Sequence, residues 1–385
     1  MSSEVDLTKA TDQCVMCGMC LPHCPTYQVS QHEAESPRGR ISLVKAFSEG
    51  KLSASASLET HLQSCTGCMK CQQVCPANVP YQDIIDGGRH LYLGQLKLST
   101  RLLQKISIAV LTHQWGHQLL TLSSIVAKRL PLKNRSVRLL TLINRPNTFD
   151  KAINSQQSVT ILPGCTGSLF DQQTLSSIVK ILNYLNIGAT IPDKLMCCGA
   201  LAQHSGHLKQ AEKQIATINH YLSKRNVSEF ISFASGCGRQ LKDHVANAQL
   251  VHKDIVSWLT KSTKINSANF ESSRQRVLIH MPCTLDDDER DNVIELLNLI
   301  PEIQLLEFND GIACCGAGGM QLISPESSNR ALLDSKINTI RTIQADVIVS
   351  SNIGCSLSLQ LGLKEAGLDI NVIHPVTLLA QQLKH

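Results

Sequence analysis

KLMCCGALAQHSG, residues 194–206, places two cysteines side by side before a glycine, and IACCGAGGMQ, residues 312–321, does it again. Working outward from the doublets, further thiols recur at matching distances. Cys165 and Cys283 are 118 residues apart, Cys197 and Cys314 are 117 apart, and Cys237 and Cys355 are 118 apart. A spacing held this constant is the mark of an internal duplication. Within each copy, short β-branched runs alternate with amphipathic stretches, the pattern of α/β units. VTILPGC, TLSSIVKILNYL, the first CCG, ISFASGC and DIVSWL form one block. RVLIHMPC, NVIELLNLI, the second CCG, DVIVSSNIGC and VTLLAQQL form the other. Cys165, Cys237, Cys283 and Cys355 closely follow expected apolar strands, and open sheets carry ligands at the carboxyl ends of strands. The doublets Cys197–Cys198 and Cys314–Cys315 follow weaker strands such as LLEF, and Gly199 and Gly316 permit a tight turn there. Each copy is therefore expected to gather four thiols from three loops.

The other eight of the sixteen cysteines lie in CVMCGMCLPHCP (14–25) and CTGCMKCQQVCP (65–76), each a C-x2-C-x2-C-x3-C-P run. Three closely spaced thiolates supply one face of an iron–sulfur cubane, and the cysteine before proline ligates the other cluster in two-cluster ferredoxins. The expected sets are Cys14, Cys17, Cys20 with Cys75, and Cys65, Cys68, Cys71 with Cys24. Zinc sites more often use two C-x2-C pairs than three ligands in a row. Two [4Fe-4S] clusters are thus expected here, and the eight cysteines of the repeats are candidate ligands for additional clusters or redox-active thiols. Buried unreactive cysteine is the competing reading for a single doublet, and the duplication argues against it. Between the two runs, Ser36 and Pro37 signal a helix start, Ile41, Leu43, Val44 and Phe47 its apolar face, and Gly50 its end.

The fold class expected is α+β and α/β: a helical two-cluster ferredoxin-like domain over 1–95, a basic helical connector over 96–157, and α/β repeats over 158–265 and 275–385. The net charge of +5 is unevenly placed. No acidic residue lies between Asp86 and Asp150, while Arg89, Lys97, Arg101, Lys105, Lys128, Arg129, Lys133, Arg135, Arg138 and Arg145 contribute +10. Such a block suits an acidic partner or an anionic membrane. With 14 aromatic residues in the whole chain and no aromatic–basic interleaving, nucleic acid is not an expected partner. No run of 18 uncharged apolar residues occurs and MSSEVDLTKATDQ lacks a signal-peptide pattern, so a cytoplasmic protein is expected, peripheral at the inner face of the cell membrane if the basic block binds lipid. ISIAVL, flanked by Lys and Arg, is too short to span. GAGG after Cys315 does not sit between a strand and a helix as a dinucleotide loop would. His113 and His117 have i, i+4 spacing but read as packing or solvated residues. His280, three residues before Cys283, is placed to touch a cluster but reads rather as a satisfied core histidine, and Arg38 and Arg40 read as contacts to a cluster environment or a partner, or as a solvated helix face.

CPTYQ, SPRGRI, SGCGRQL, PCTLDD, CCGAGG and NIGC together resemble the iron–sulfur subunit of bacterial glycolate oxidase (glycolate dehydrogenase), over nearly the whole chain. The repeats also resemble the CCG domains found in heterodisulfide reductases, in glycerol-3-phosphate dehydrogenases and in lactate-utilisation proteins. That resemblance implies an electron-transfer subunit that works with FAD-binding 2-hydroxy-acid dehydrogenase subunits and delivers electrons to a quinone or another acceptor. It assigns the chain no catalytic residue of its own. No flavin or nicotinamide fingerprint occurs, so hydride chemistry is expected in a partner. The alternatives are a heterodisulfide or thiol reductase acting at the CCG sites, or the corresponding iron–sulfur protein of a D-lactate or glycerol-3-phosphate dehydrogenase. The disulfide reductases end their CCG pattern in C-x-x-C. Here Gln240 and Ser358 stand where the last cysteine would be, leaving four thiols per repeat.

Overall fold

A computed structural model describes residues 6–129, 134–143, 151–245, 247, 249–312, 314–323 and 325–384. Lys133, Arg145 and Asp150 of the basic block lie outside them. The chain forms two compact units that are discontinuous in sequence. One comprises Met1–Ile108, Gly199–Lys213 and Asp310–Lys336, the other Ala109–Cys198, Gln214–Asn309 and Ile337–His385. The segment after each CC doublet thus folds with the N-terminal cysteine runs.

In the first unit, the helix expected from SPRGR spans Pro37–Ser48, with the Ser36 hydroxyl accepting from the Gly39 N–H at 3.0 Å. Ile41 and Val44 on its inner face join Leu58, Leu62, Tyr81, Ile84 and Ile85 in a buried core, with Leu43 and Phe47 packed at its edge. The core partner is helix Tyr81–Gln95, where Gly88 admits Val44: a β-carbon at 88 would lie 2.5 Å from Val44 Cγ2. Gly39 is fixed by a similar approach, since a β-carbon there would meet the Glu33 carbonyl oxygen.

Residues 96–129 form two helices, Leu98–Thr112 and Gln114–Ala127, where the sequence shows no stop signal. The break falls at His113, whose backbone is extended, and Gly116 lets the second helix start against the Val110 carbonyl. Helix Arg135–Thr141 follows. Among the described residues no helix is long and apolar enough to cross a membrane.

The second unit holds two four-stranded parallel sheets. β1 (Ser158–Ile161), β2 (Gly188–Thr190), β3 (Glu229–Ser232) and β4 (Val251–Asp254) lie in the order 2-1-3-4. β5 (Arg276–Ile279), β6 (Gln304–Glu307), β7 (Val347–Val349) and β8 (Asn371–Ile373) repeat it as 6-5-7-8. The central strands β1, β3, β5 and β7 are the apolar runs read from the sequence, and their core-facing residues are buried. The edge strands β2, β4 and β8 escape such a reading, because they are three or four residues long and largely half-exposed.

One hydrophobic core joins the repeats, from Val159 and Ile161 to Val347 and Leu379. The packing is reciprocal. Helix Gln172–Tyr184 of the first repeat packs on Pro375–Gln381 of the second, with Thr174 and Thr377 hydroxyls 2.9 Å apart. Its counterpart Asp287–Leu297 packs on Ile255–Thr260, where Asn292 Nδ2 donates to Ser257 Oγ at 3.0 Å. The arrangement is that of a pseudo-two-fold pair, as expected when a duplicated unit covers its own apolar face.

Candidate iron–sulfur and thiol sites

The two N-terminal runs coil alike. Met16 and Gly18 in the first, and Gly67 and Met69 in the second, all have φ between 56° and 82°, the left-handed region. Two of these four are methionine, for which this conformation costs about 1–2 kcal/mol, and the two runs share it at matching positions. Cys24 precedes helix Pro25–Ser30 and Cys75 precedes Pro76, so each fourth cysteine sits where proline starts a new direction.

A cavity is lined by Cys14, Cys17, Cys20, Cys71 and Cys75, with Met16, Gly18, Tyr81 and Val79. Cys75, distant in sequence from the first run, thus shares its cavity. Burial pushes the Cys20 thiol up, and Cys14 and Cys24 add to it. Burial likewise pushes Cys68 up to about 12, with Cys314, Cys65 and Cys24 adding. Cys71 is raised by burial first, then by Cys68, Cys65, Cys24 and Cys20. Thiols crowded this way stay protonated unless a cation draws off their protons, and iron or zinc does that. The donor set fits a sulfur-ligated cluster. Two hydroxyls lie beside sulfurs: Tyr81 Oη is 3.6 Å from Cys65 Sγ, and Thr26 Oγ1, which donates to the Glu35 carbonyl at 2.9 Å, is 3.3 Å from Cys24 Sγ.

The SPRGRI stretch braces this region. Arg40, 1% exposed, donates to the His61 carbonyl at 2.7 Å, Thr26 Oγ1 at 3.0 Å, Glu35 Oε2 at 2.7 Å and Ser64 Oγ at 2.8 Å. Glu35 also bonds His61 Nδ1 at 2.7 Å. The network ties the first cysteine run to the residues just before Cys65, and it is charge-assisted and fully buried. Arg38 pairs with Glu33 at 2.7 Å and reaches the Met16 carbonyl at 3.2 Å. Arg38 thus contacts the first cysteine run, and Arg40 the residues that flank Cys24 and Cys65.

The segments that follow the CC doublets clamp the second cysteine loop, a relation with no local sequence signal. Gly318 lies against the Thr66 backbone, and Gln321 Nε2 donates to the Gln63 carbonyl at 2.8 Å. Gln203 Nε2 donates to Asp86 Oδ2 at 2.9 Å, and the His204 ring faces Gly67. Gly199 (φ +85°) and Gly316 (φ +76°) turn the chain after each doublet, the latter with no room for a side chain against the Asn329 carbonyl. Cys314 is carried by this unit and its charge acts on Cys68.

In the second unit the first repeat brings all four of its thiols together. Cys165 Sγ lies 3.4 Å from Cys197 Sγ, Cys197 also bonds Cys198, and Cys198 bonds Cys237. These contacts, then burial, hold Cys197 and Cys237 well above the usual thiol range. Cys165 and Cys237 follow β1 and β3, adjacent strands whose onward connections leave to opposite sides, the switch point where open α/β sheets bind ligands. Gly164 (φ +70°) turns beside Cys237 Sγ. Cys283 and Cys355 occupy the same places after β5 and β7. Gln240 and Ser358 are both buried. His113 and His117 are engaged by backbone, His117 Nε2 donating to the Leu111 carbonyl at 2.9 Å and His113 Nδ1 lying 3.1 Å from the Ala109 carbonyl.

Known proteins share these features. A model of the 4Fe-4S dicluster domain matches residues 10–79, and a model of the cysteine-rich CCG domain matches 159–242 and 277–360. The chain is 27% identical to the probable glycolate oxidase iron-sulfur subunit of Bacillus subtilis, over 97% of this chain and 94% of that one. It is 26% identical to the glycolate oxidase iron-sulfur subunit of Escherichia coli, over 90% and 89%. Against one of the subunits of the CoM/CoB fumarate reductase of Methanothermobacter marburgensis it is 24% identical, over 97% and 72%.

Proposed function

Starting from a chain that is a homologue of the glycolate oxidase iron-sulfur subunits, with a 4Fe-4S dicluster domain and two CCG domains, we propose that it relays electrons from FAD-binding 2-hydroxy-acid dehydrogenase subunits to a quinone or another acceptor. The observation that carries this reading is the pair of backbone-matched cysteine loops, with Cys24, Cys65, Cys68 and Cys71 buried and Cys14, Cys17, Cys20, Cys71 and Cys75 lining one cavity. Cys14, Cys17, Cys20 and Cys75 would hold one [4Fe-4S] cluster, and Cys65, Cys68, Cys71 and Cys24 the other. Cys75, which shares the first run's cavity, supports the crossed sets. The clusters would accept the two electrons of a reduced flavin singly. The protein's own part is to bind them, to place the two sets side by side, and to hold the Tyr81 and Thr26 hydroxyls beside ligand sulfurs. The four converging thiols of the first repeat support a further cluster there.

Purified alone, the chain is expected to be inert toward glycolate and D-lactate. Adding the cognate flavoprotein subunits should give substrate-dependent reduction of a quinone or an artificial dye. Oxidation of either substrate by this chain without flavin would overturn the relay. So would thiol–disulfide turnover at the CCG sites as its principal activity.

The basic block supports peripheral attachment to an anionic membrane. Helix Leu98–Thr112 exposes Leu98, Leu102, Leu103 and Ile106, and helix Gln114–Ala127 exposes Leu119, Leu122, Ile125 and Val126. Lys97, Lys105, Lys128 and Arg129 are exposed on or beside these helices. Apolar side chains beside basic ones, with no acidic residue in either helix, are the make-up of interfacial helices. A basic side chain near an anionic surface contributes about 1 kcal/mol. Reversing these four charges to glutamate should therefore weaken binding to phosphatidylserine vesicles by at least about 1000-fold, the loss expected from neutralising them alone, with iron content unchanged. Equal vesicle recovery of both proteins at low and high salt would mean the block is only solvated surface.

A further inference from the structure

The two repeats differ at one buried position beside their thiols. The first residue after β1 is Leu162, and the first after β5 is His280, 118 residues on. Their backbones are equivalent: the Leu162 N–H donates to the Ile231 carbonyl at 2.8 Å, and the His280 N–H to the Val349 carbonyl at 2.9 Å. Both side chains are buried, Leu162 at 3% exposure and His280 at 2%. Leucine satisfies this place in the first repeat, so the fold itself does not ask for an imidazole.

The ring of His280 is held but only half satisfied. Nδ1 lies 3.2 Å from Ser350 Oγ, and the edge of the Phe308 ring packs against it with centroids 5.9 Å apart. Nε2 is buried with no hydrogen-bond partner. An unmet polar group of this kind costs about 1–3 kcal/mol. A metal-ligating histidine has just this form, one nitrogen fixed by an oxygen and the other turned to the metal. The second atom needed is close, because a ring nitrogen of His280 lies within 4.8 Å of Cys355 Sγ. Cys283, three residues on, occupies the position of Cys165 in the first repeat.

We propose that His280 Nε2 is a ligand to the metal centre of the second repeat, an iron–sulfur cluster bound by imidazole together with cysteine thiolates including Cys355. The proposal rests on the iron–sulfur reading of the CCG sites and adds a difference between them. The first repeat offers thiolates alone, whereas the second adds to its four thiols a neutral nitrogen that can take the place of one of them at the metal. Histidine in place of cysteine raises a cluster's reduction potential, so the second repeat is the more oxidising of the two.

The test uses the full-length protein loaded with iron and sulfide under anaerobic conditions. Pulsed paramagnetic resonance of the reduced wild type should show strong coupling to a histidine nitrogen. His280→Leu, the residue already tolerated at 162, should lose that coupling together with the iron and sulfide of one cluster, while the signals of the N-terminal clusters persist. His280→Cys should keep the iron but lose the nitrogen coupling and lower the potential of that centre. The proposal is overturned if the wild type shows no such coupling, if His280→Leu keeps full iron and an unchanged spectrum, or if the metal lost is zinc. N-terminal clusters that flavin reduces normally alongside any of those results would leave the relay standing and remove only this inference.

Discussion

Replacing Cys24 with serine is expected to damage the cluster nearest Cys65, not the one nearest in sequence. Cys24 is buried, with Glu35 and Thr26 beside its sulfur, and its charge acts on Cys68 and Cys71. Cys75, by contrast, lines the cavity of Cys14, Cys17 and Cys20. Serine offers a poor ligand to cluster iron, so the variant should lose roughly half of the iron held by the N-terminal region, one of its two clusters. Iron quantitation with paramagnetic resonance reads the result. Selective loss of the Cys14 cluster would mean that each run keeps its own four ligands.

A larger effect on function is expected from Cys68→Ser. Cys68 is buried between its own run and Cys314, the doublet residue carried into the same unit. In complex with the flavoprotein subunits, the variant should reduce quinone at least about 10–100-fold more slowly, the range that loss of an outer-shell partner alone can bring. Reduction of the flavin by substrate should be nearly unchanged, because that step precedes the relay. Stopped-flow absorbance separates the two steps. A parallel fall in both would place Cys68 in assembly of the complex instead of in electron transfer.

What the sequence made legible follows from how local each signal is. The duplication could be read because glycine and cysteine recur at fixed spacing, and each has a chemical reason to be there. The central strands could be read because β1, β3, β5 and β7 are short continuous apolar runs buried in the shared core. The edge strands β2, β4 and β8 could not, since their residues are half-exposed and carry no alternation. The break at His113 was hidden because its cause is Gly116 fitting against the Val110 carbonyl, not a proline or a terminal glycine. At the candidate site, the two C-x2-C-x2-C-x3-C-P runs carry a recognisable spacing, from which the crossed sets are proposed. The clamp of 199–213 and 310–336 on the Cys65 loop does not, because Gln321 with Gln63, and Gln203 with Asp86, join residues more than 100 apart in sequence. For His280 the sequence leaves a core histidine and a cluster contact both open, and the unmet Nε2, with a ring nitrogen within 4.8 Å of Cys355 Sγ, favours the second.

The central claim is that electrons from the flavin enter the clusters of this chain. Its most direct test is anaerobic mixing of the cluster-loaded protein with the cognate flavoprotein subunits and glycolate or D-lactate, frozen on the millisecond-to-second timescale for paramagnetic resonance. The account predicts that signals of reduced [4Fe-4S] clusters appear as the flavin is reoxidised, and that none appear when the flavoprotein is left out. Clusters that stay oxidised beside fully reduced flavin, or that substrate reduces without any flavoprotein, would contradict it.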